Sequence, residues 1–164
     1  VPGILELAER REQFRLAVSL HAPNHELRQR IVPVERKYPL PELLAALRRF
    51  EAAGGRRITF EYTMIDGIND APELASELAE LVREFGAHVN LIPYNPIPGN
   101  DWRPTPPARI RAFAGVLEAA GVPVSIRTPR GRDIAAACGQ LAAEHATRPP
   151  KPFLALVGAA RAGA

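Results

Sequence analysis

Apolar residues recur along this chain with two alternating periods. Residues 3–12 carry apolar side chains at helical spacing, and FRLAVSL over 14–20 follows as an apolar strand. A polar loop leads to Pro41, which opens the helix PELLAALRRFEAA, and Gly54 and Gly55 close it. RITFEYTMI over 57–65 is rich in β-branched and aromatic residues and predicts a second strand. Asp70 is the expected N-cap, with Pro72 in the first turn, of a helix running to Phe85, and Gly86 stops it. HVNLIPY over 88–94 is a third strand, and a Pro- and Gly-rich loop runs from Asn95 to Pro107. ARIRAFAGVLEAA is the next helix, closed by Gly121, and PVSIR over 123–127 a fourth strand. Asp133 is expected to cap a last helix, DIAAACGQLAAEHA. From Thr147 the chain turns Pro-rich and then Ala/Gly-rich, which predicts a flexible tail over 147–164.

Strands alternating with helices predict an α/β fold of parallel β/α units. The strand segments are nearly continuous in apolar character, as for strands covered on both faces. In such folds ligands bind beyond the C-terminal ends of the strands. Here those ends read SLHAPN, MIDGIND, YNPIPGN and RTPRGRD. They gather His21, Asn24, Asp66, Asn69, Asn95, Arg127, Arg130 and Asp133 at one rim, whereas the opposite connections are turns built on Gly. That asymmetry predicts a ligand site at the polar rim. Four β/α units are too few to close an eight-stranded barrel. The chain also opens at Val1 without an initiating Met. It is therefore expected to be part of a larger barrel.

Composition changes this picture little. The chain has 164 residues, 46% hydrophobic and 24% charged, which excludes a wholly disordered protein. No apolar run is long enough to span a bilayer, and the N-terminus lacks the apolar centre of a signal peptide. A cytoplasmic location is expected. The net charge of +3 fits an anionic partner such as RNA. The single cysteine excludes a disulfide within the chain, and any metal or cluster site built on several thiolates.

That cysteine, Cys138, lies five residues into the helix expected to begin near Asp133, with Arg127, Arg130 and Arg132 just upstream. Cationic neighbours and a helix N-terminus both lower a thiol pKa and favour a nucleophile. On chemistry alone, a lone cysteine among alanines is more often a small buried core residue than a nucleophile. Glu61 is a charged residue inside a strand and is costly there without a partner. It is read as a barrel-interior carboxylate with a polar neighbour and no catalytic role.

Three segments carry a resemblance. RGRDIAAACGQL is similar to the C-terminal signature of the radical S-adenosylmethionine methyltransferases that modify C2 of adenosine in 23S ribosomal RNA and in some transfer RNAs. AVSLHAPNHELRQRIVPVERKYPL and NLIPYNPIPG resemble two further blocks of that family, in its order and at compatible spacing. Together the blocks cover the chain from about Val1 to His145. Three long ordered matches are far more specific than one short motif.

The resemblance implies that residues 1–146 are the C-terminal portion of a partial (β/α) radical-SAM barrel, with parallel strands and outer helices. It places Cys138 at the position of the methyl-carrying catalytic cysteine. Ser19, Leu20 and His21 fall where the family contacts S-adenosylmethionine, and Asn95 falls at another such contact. The implied cofactors are S-adenosyl-L-methionine and a [4Fe-4S] cluster, and the implied partners are 23S rRNA and tRNA; the sequence does not show the oligomeric state, and a monomer is the default expectation. In the family a methyl group passes from the cofactor to the cysteine, and from there to the base as a carbon radical.

The family's cluster triplet CxxxCxxC, its partner cysteine, its Gly-Glu contact segment and its catalytic glutamate are not in this sequence. The chain by itself is therefore expected to be inert. Two other readings stay open, a non-catalytic RNA-binding module and an adenine-C8 methyltransferase of the same superfamily. SLHAPN followed by IVPVERKYPL leans toward C2. A barrel enzyme acting on a small phosphorylated molecule would need a Gly-rich phosphate loop, and RTPRGRD has one Gly.

Overall fold

Sequential β/α units build one parallel sheet in the computed structural model, which describes residues 1–10, 14–97 and 99–127. These residues belong to the first of the chain's two units, Val1–Pro129. The strands are β1 (Leu16–Ser19), β2 (Ile58–Met64), β3 (His88–Pro93) and β4 (Val124–Ile126), all parallel and in the order β1-β2-β3-β4. Right-handed crossovers between successive neighbours put every connecting helix on the same face. This is the sense of winding of a barrel rather than of a doubly wound sheet, and it makes the described fold a partial α/β barrel.

The helices are α1 (Pro2–Arg10), α2 (His25–Ile31), α3 (Leu40–Ala52), α4 (Pro72–Arg83) and α5 (Pro107–Ala119). The three long helices each place a proline at the N-terminal turn, where its missing N–H has no cost. Gly54, Gly86 and Gly121 follow α3, α4 and α5 with positive φ, the left-handed exit that a side chain resists. None of the helices among the described residues is long and apolar enough to cross a membrane.

Two expectations change. Residues 24–36, read as a polar loop, contain α2 and a 3₁₀ turn, Pro33–Arg36. Pieces of seven and four residues are too short to display an apolar stripe, and Pro33 divides them. Asp70 does not cap α4, because Ala71 holds the N-cap position. The Asp70 carboxylate instead accepts from Gly67 N–H at 3.0 Å and from Arg109 at 2.8 Å.

The sheet is packed on one face. Along β2, Ile58, Phe60, Tyr62 and Met64 are fully buried, while Thr59, Glu61 and Thr63 between them are half-buried. β3 repeats the alternation. Among the described residues the strands are thus two-faced, with helices over one side, where their apolar character suggests cover on both. Threonine and tyrosine supply strand propensity without being apolar, which blurs the period in the sequence. The covered face meets Leu43, Leu47 and Phe50 of α3, Leu78 and Val82 of α4, and Phe113 and Leu117 of α5. Phe60 meets the Phe85 ring edge-on at 5.7 Å between centroids. Replacing Phe60 with Ala is expected to lower unfolding free energy by about 3–5 kcal/mol, since it removes a buried ring and leaves a cavity. Urea denaturation checks this, and a loss below about 1 kcal/mol would mean that this face is not the core.

Candidate functional site

Strand β1 stops earlier than β2, and that difference in length creates the site. Beyond the pair Ser19↔Glu61, β2 runs on to Met64 with no strand on that side. Its backbone groups must find other partners. The Glu61 carbonyl accepts from the N–H groups of Leu20 and His21, at 3.0 and 3.3 Å. The Thr63 N–H donates to His21 Nδ1 at 3.0 Å, so an imidazole stands where a carbonyl would be. Asn69, fully buried, donates through Nδ2 to the carbonyls of Thr63 (2.7 Å) and His21 (2.9 Å), and its Oδ1 accepts from Ile65 N–H at 2.7 Å. One side chain thus replaces a missing strand partner and holds the His21 backbone, whose φ of 61° is unusual for a residue with a Cβ.

The preceding residues are held from the other side. Arg28 of α2 is buried and donates through Nε to the Leu20 carbonyl at 3.0 Å and through Nη2 to the Ser19 carbonyl at 3.2 Å. Its Nη1 pairs with Glu35, which is buried as well. Glu35 also accepts from Leu40 N–H at 2.7 Å and is 2.6 Å from His25 Nδ1. The pair is therefore saturated with hydrogen bonds, which offsets much of its desolvation. The carbonyls of three successive residues, Ser19, Leu20 and His21, are each fixed by a buried polar side chain.

His21 is held in one protonation state. Burial lowers its pKa from 6.5 to about 4, with a smaller contribution from the Arg28 charge. Because Nδ1 accepts the Thr63 N–H, the neutral ring carries its proton on Nε2. His21, Ile31, Thr63, Ile65, Tyr94 and Trp102 line a concavity of about 140 Å³ at the C-terminal edge of the sheet. Tyr94 and Trp102 meet edge-on at 5.8 Å between centroids. Whole small-molecule pockets begin at roughly 300 Å³, so this concavity has room for one part of such a ligand. A donor on a rigid ring beside two aromatic walls suits a planar heterocycle. Next to it, Arg109 of α5 bridges Asp66 at 2.6 Å and Asp70 at 2.8 Å, closing the loop after β2.

Of the expected rim, His21, Asp66, Asn69 and Asn95 follow the ends of their strands, while Asn24 serves as the N-cap of α2. Ser19 is exposed at the end of β1, His21 and Tyr94 line the concavity, and Asn95 follows Tyr94 half-buried. Leu20 is fully buried, and both its backbone groups are engaged within the chain. Cys138, together with Arg130, Arg132 and Asp133, lies outside the described residues, as does the 147–164 tail. Arg28, Glu35, Tyr94 and Trp102 belong to the site although the sequence pattern does not single them out. Two opposite charges seven residues apart are the one sign of the buried pair, and charges are normally read as solvated. S-adenosylmethionine carries an adenine ring and hydrogen-bonding groups, and the polar rim with its aromatic concavity fits part of it. An iron–sulfur cluster does not fit these residues. The chain has one cysteine, and the described residues contain no group of three or more His, Cys, Asp and Glu side chains able to hold a metal.

No family model matches the chain. Curated relatives do. It is 51% identical over 148 residues to a probable dual-specificity RNA methyltransferase RlmN of Desulforudis audaxviator, covering 90% of this chain and 46% of that one. It is 55% identical over 132 residues to a dual-specificity RNA methyltransferase RlmN of Gluconobacter oxydans, covering 80% and 32%. A crystal structure of a radical SAM methyltransferase from Sphaerobacter thermophilus superposes with a TM-score of 0.80 at 51% identity, over 85% of this chain and 41% of that one. A domain of a pyruvate-formate lyase-activating enzyme from Bacteroides vulgatus shares the fold, with a TM-score of 0.60 at 18% identity. The chain spans less than half the length of the curated relatives it matches.

Two outcomes are expected from the geometry. Arg28→Met leaves the buried Glu35 without its guanidinium partner, and is expected to cost about 3 kcal/mol in urea denaturation, while Arg28→Met/Glu35→Leu costs less than the single change. A single change costing no more than the double would show that the pair does not organise the rim. For His21, a lowered folded pKa means the unfolded chain takes up the proton first as pH falls below 6.5. Stability therefore declines from pH 6.5 toward 4, by about 1.4 kcal/mol per pH unit. Between pH 7 and 5, His21→Gln is expected to lose about 2 kcal/mol less than the unsubstituted chain, and equal losses would contradict the buried neutral ring.

Proposed function

We propose that this chain, which belongs to the radical SAM family of dual-specificity RNA methyltransferases, is part of an enzyme that methylates C2 of adenosine in 23S rRNA and tRNA. The observation that carries the proposal is the fixed Ser19–His21 segment at the C-terminal edge of a parallel sheet, the edge at which ligands bind in such folds. On this reading residues 1–146 are the C-terminal portion of the barrel. Ser19, His21 and Asn95 hold S-adenosylmethionine, Leu20, expected as a further contact, is fully buried and anchors the segment from the core instead, and Cys138 carries the methyl group. The partners are the two RNAs, and the compartment is the cytoplasm.

When bound, the cofactors supply the methyl group and the radical chemistry that an unactivated aromatic carbon requires. One cysteine cannot hold the cluster, so on this reading its ligands lie in the part of the enzyme that this chain does not span, and the chain by itself does not methylate RNA. The chain's own residues position and select. His21, neutral through the physiological range, offers an Nε2–H donor that does not depend on pH. The buried carbonyl contacts keep Ser19 and His21 in register with β2, so a ligand meets an edge ordered before it arrives. Tyr94 and Trp102 wall off one side of the concavity and limit water there.

The test uses the full-length protein with ribosomal and transfer RNA. Nucleoside mass spectrometry is expected to find 2-methyladenosine, and peptide mass spectrometry a one-carbon adduct on Cys138. Cys138→Ala is expected to abolish methylation by more than about a thousandfold, because no other thiol can take its place in the transfer. Retained activity in that variant would overturn the assignment of Cys138, and 8-methyladenosine as product would overturn C2.

A further inference from the structure

A row of polar side chains crosses the open face of the sheet at a single level. The register pairs Ser19 with Glu61, Glu61 with Asn90, and Asn90 with Ser125. Ser19, Glu61 and Asn90 alternate with core residues, so they share the face turned away from the helices, and Ser125 joins them through its pairing with Asn90. Three of them are joined. Ser125 Oγ donates to Asn90 Oδ1 at 3.1 Å, and Asn90 Nδ2 donates to Glu61 Oε2 at 3.0 Å. His88 Nε2 lies 2.8 Å from Ser125 Oγ and fixes the far end.

Glu61, which only accepts, turns the Asn90 amide so that Nδ2 faces the carboxylate, and Ser125 takes up the amide oxygen. The chain of bonds thus sets the carboxylate in one orientation, with Oε2 held and Oε1 without a hydrogen-bond partner among the described residues. No Lys, Arg or His among the described residues forms an ion pair with Glu61. Yet Glu61 is half-buried, and a charge so placed is costly without a counterion. The residue one strand away on the same level is Ser19. Adjacent strands are about 4.8 Å apart, so whatever touches Ser19 from this face comes within reach of the carboxylate.

We propose that Glu61 is a further residue of the S-adenosylmethionine site, held by Asn90 and Ser125 so that its carboxylate complements the positive sulfonium charge. The inference rests on the reading that Ser19 contacts this cofactor. It gives the row a purpose that packing does not: the face is polar at the level of the ligand, and the single carboxylate in the row matches the charge that distinguishes S-adenosylmethionine from its neutral product. The same carboxylate favours the methyl donor over S-adenosylhomocysteine, whose sulfur is an uncharged sulfide. Site occupancy is thereby biased toward the form that can react.

Calorimetric titration of the full-length protein with each of the two ligands tests this without recourse to catalysis. Glu61→Gln keeps the size of the side chain and its bond from Asn90. It is expected to weaken S-adenosylmethionine binding by roughly tenfold or more, and S-adenosylhomocysteine binding by less than about threefold, as for loss of a charge-assisted contact. Glu61→Asp keeps the charge with a shorter reach, and should retain the preference for S-adenosylmethionine. It decides the matter should the Gln variant fail to fold. Unchanged S-adenosylmethionine affinity in the Gln variant, or equal losses for both ligands, would overturn the proposal and leave Glu61 as the partner of a cation elsewhere in the protein. Failure of the unsubstituted protein to bind either ligand would instead overturn the cofactor reading itself.

Discussion

The rim of this sheet depends on one interaction, the hold of the buried Arg28 guanidinium on the carbonyls of Ser19 and Leu20. Strand β1 ends at Ser19, so the sheet ladder does not fix the residues after it. A chain leaving a strand end is ordinarily free to vary. Here Arg28 binds it from α2, Asn69 binds it from the loop after β2, and His21 completes the backbone of Thr63. Arg28 and Asn69 are buried and His21 is largely so, and these bonds form where water competes little and where their loss would leave an unsatisfied partner.

That arrangement explains how a strained residue persists at the centre of the site. His21 has a positive φ, which costs free energy for a residue with a Cβ. Its carbonyl, N–H and ring nitrogen are all engaged, so relaxation of the backbone would break several hydrogen bonds at once. The same burial that makes the bonds strong keeps the ring neutral. Geometry and protonation are therefore set together, by one cause. The open face of the sheet extends the logic, since the Ser125–Asn90–Glu61 chain orients a carboxylate with hydrogen bonds rather than with packing.

The architecture is legible from hydrophobic periodicity. Long helices and strands announce themselves over many residues, and the four strands and their parallel order follow from the alternation of elements. The rim is legible as well, because His21, Asn69 and Asn95 all sit where strands end. The groups that hold the rim are not. Arg28 and Glu35 are polar residues buried like core residues, and their one sign in the sequence, opposite charges seven residues apart, is equally the mark of a solvated pair. The cap of α4 eludes sequence reasoning for a related reason, since Asp70 is taken by Arg109 through a contact 39 residues distant. Glu61 is recognisable as a strand carboxylate in need of a partner, but its partner Asn90 depends on strand register, which is a tertiary property.

Relatives at about half identity and a superposable methyltransferase structure place the chain in its family. The physical account adds why this part of the fold offers an ordered, polar edge to a nucleoside cofactor. The most direct measurement is a crystal structure of the full-length protein with S-adenosylmethionine bound. The account predicts the ligand at the C-terminal edge of β1 to β3, with polar contacts to Ser19, His21 and Asn95. A cofactor bound at the opposite edge of the sheet, beside Arg15 and Arg57, or one touching none of those three residues, would contradict it.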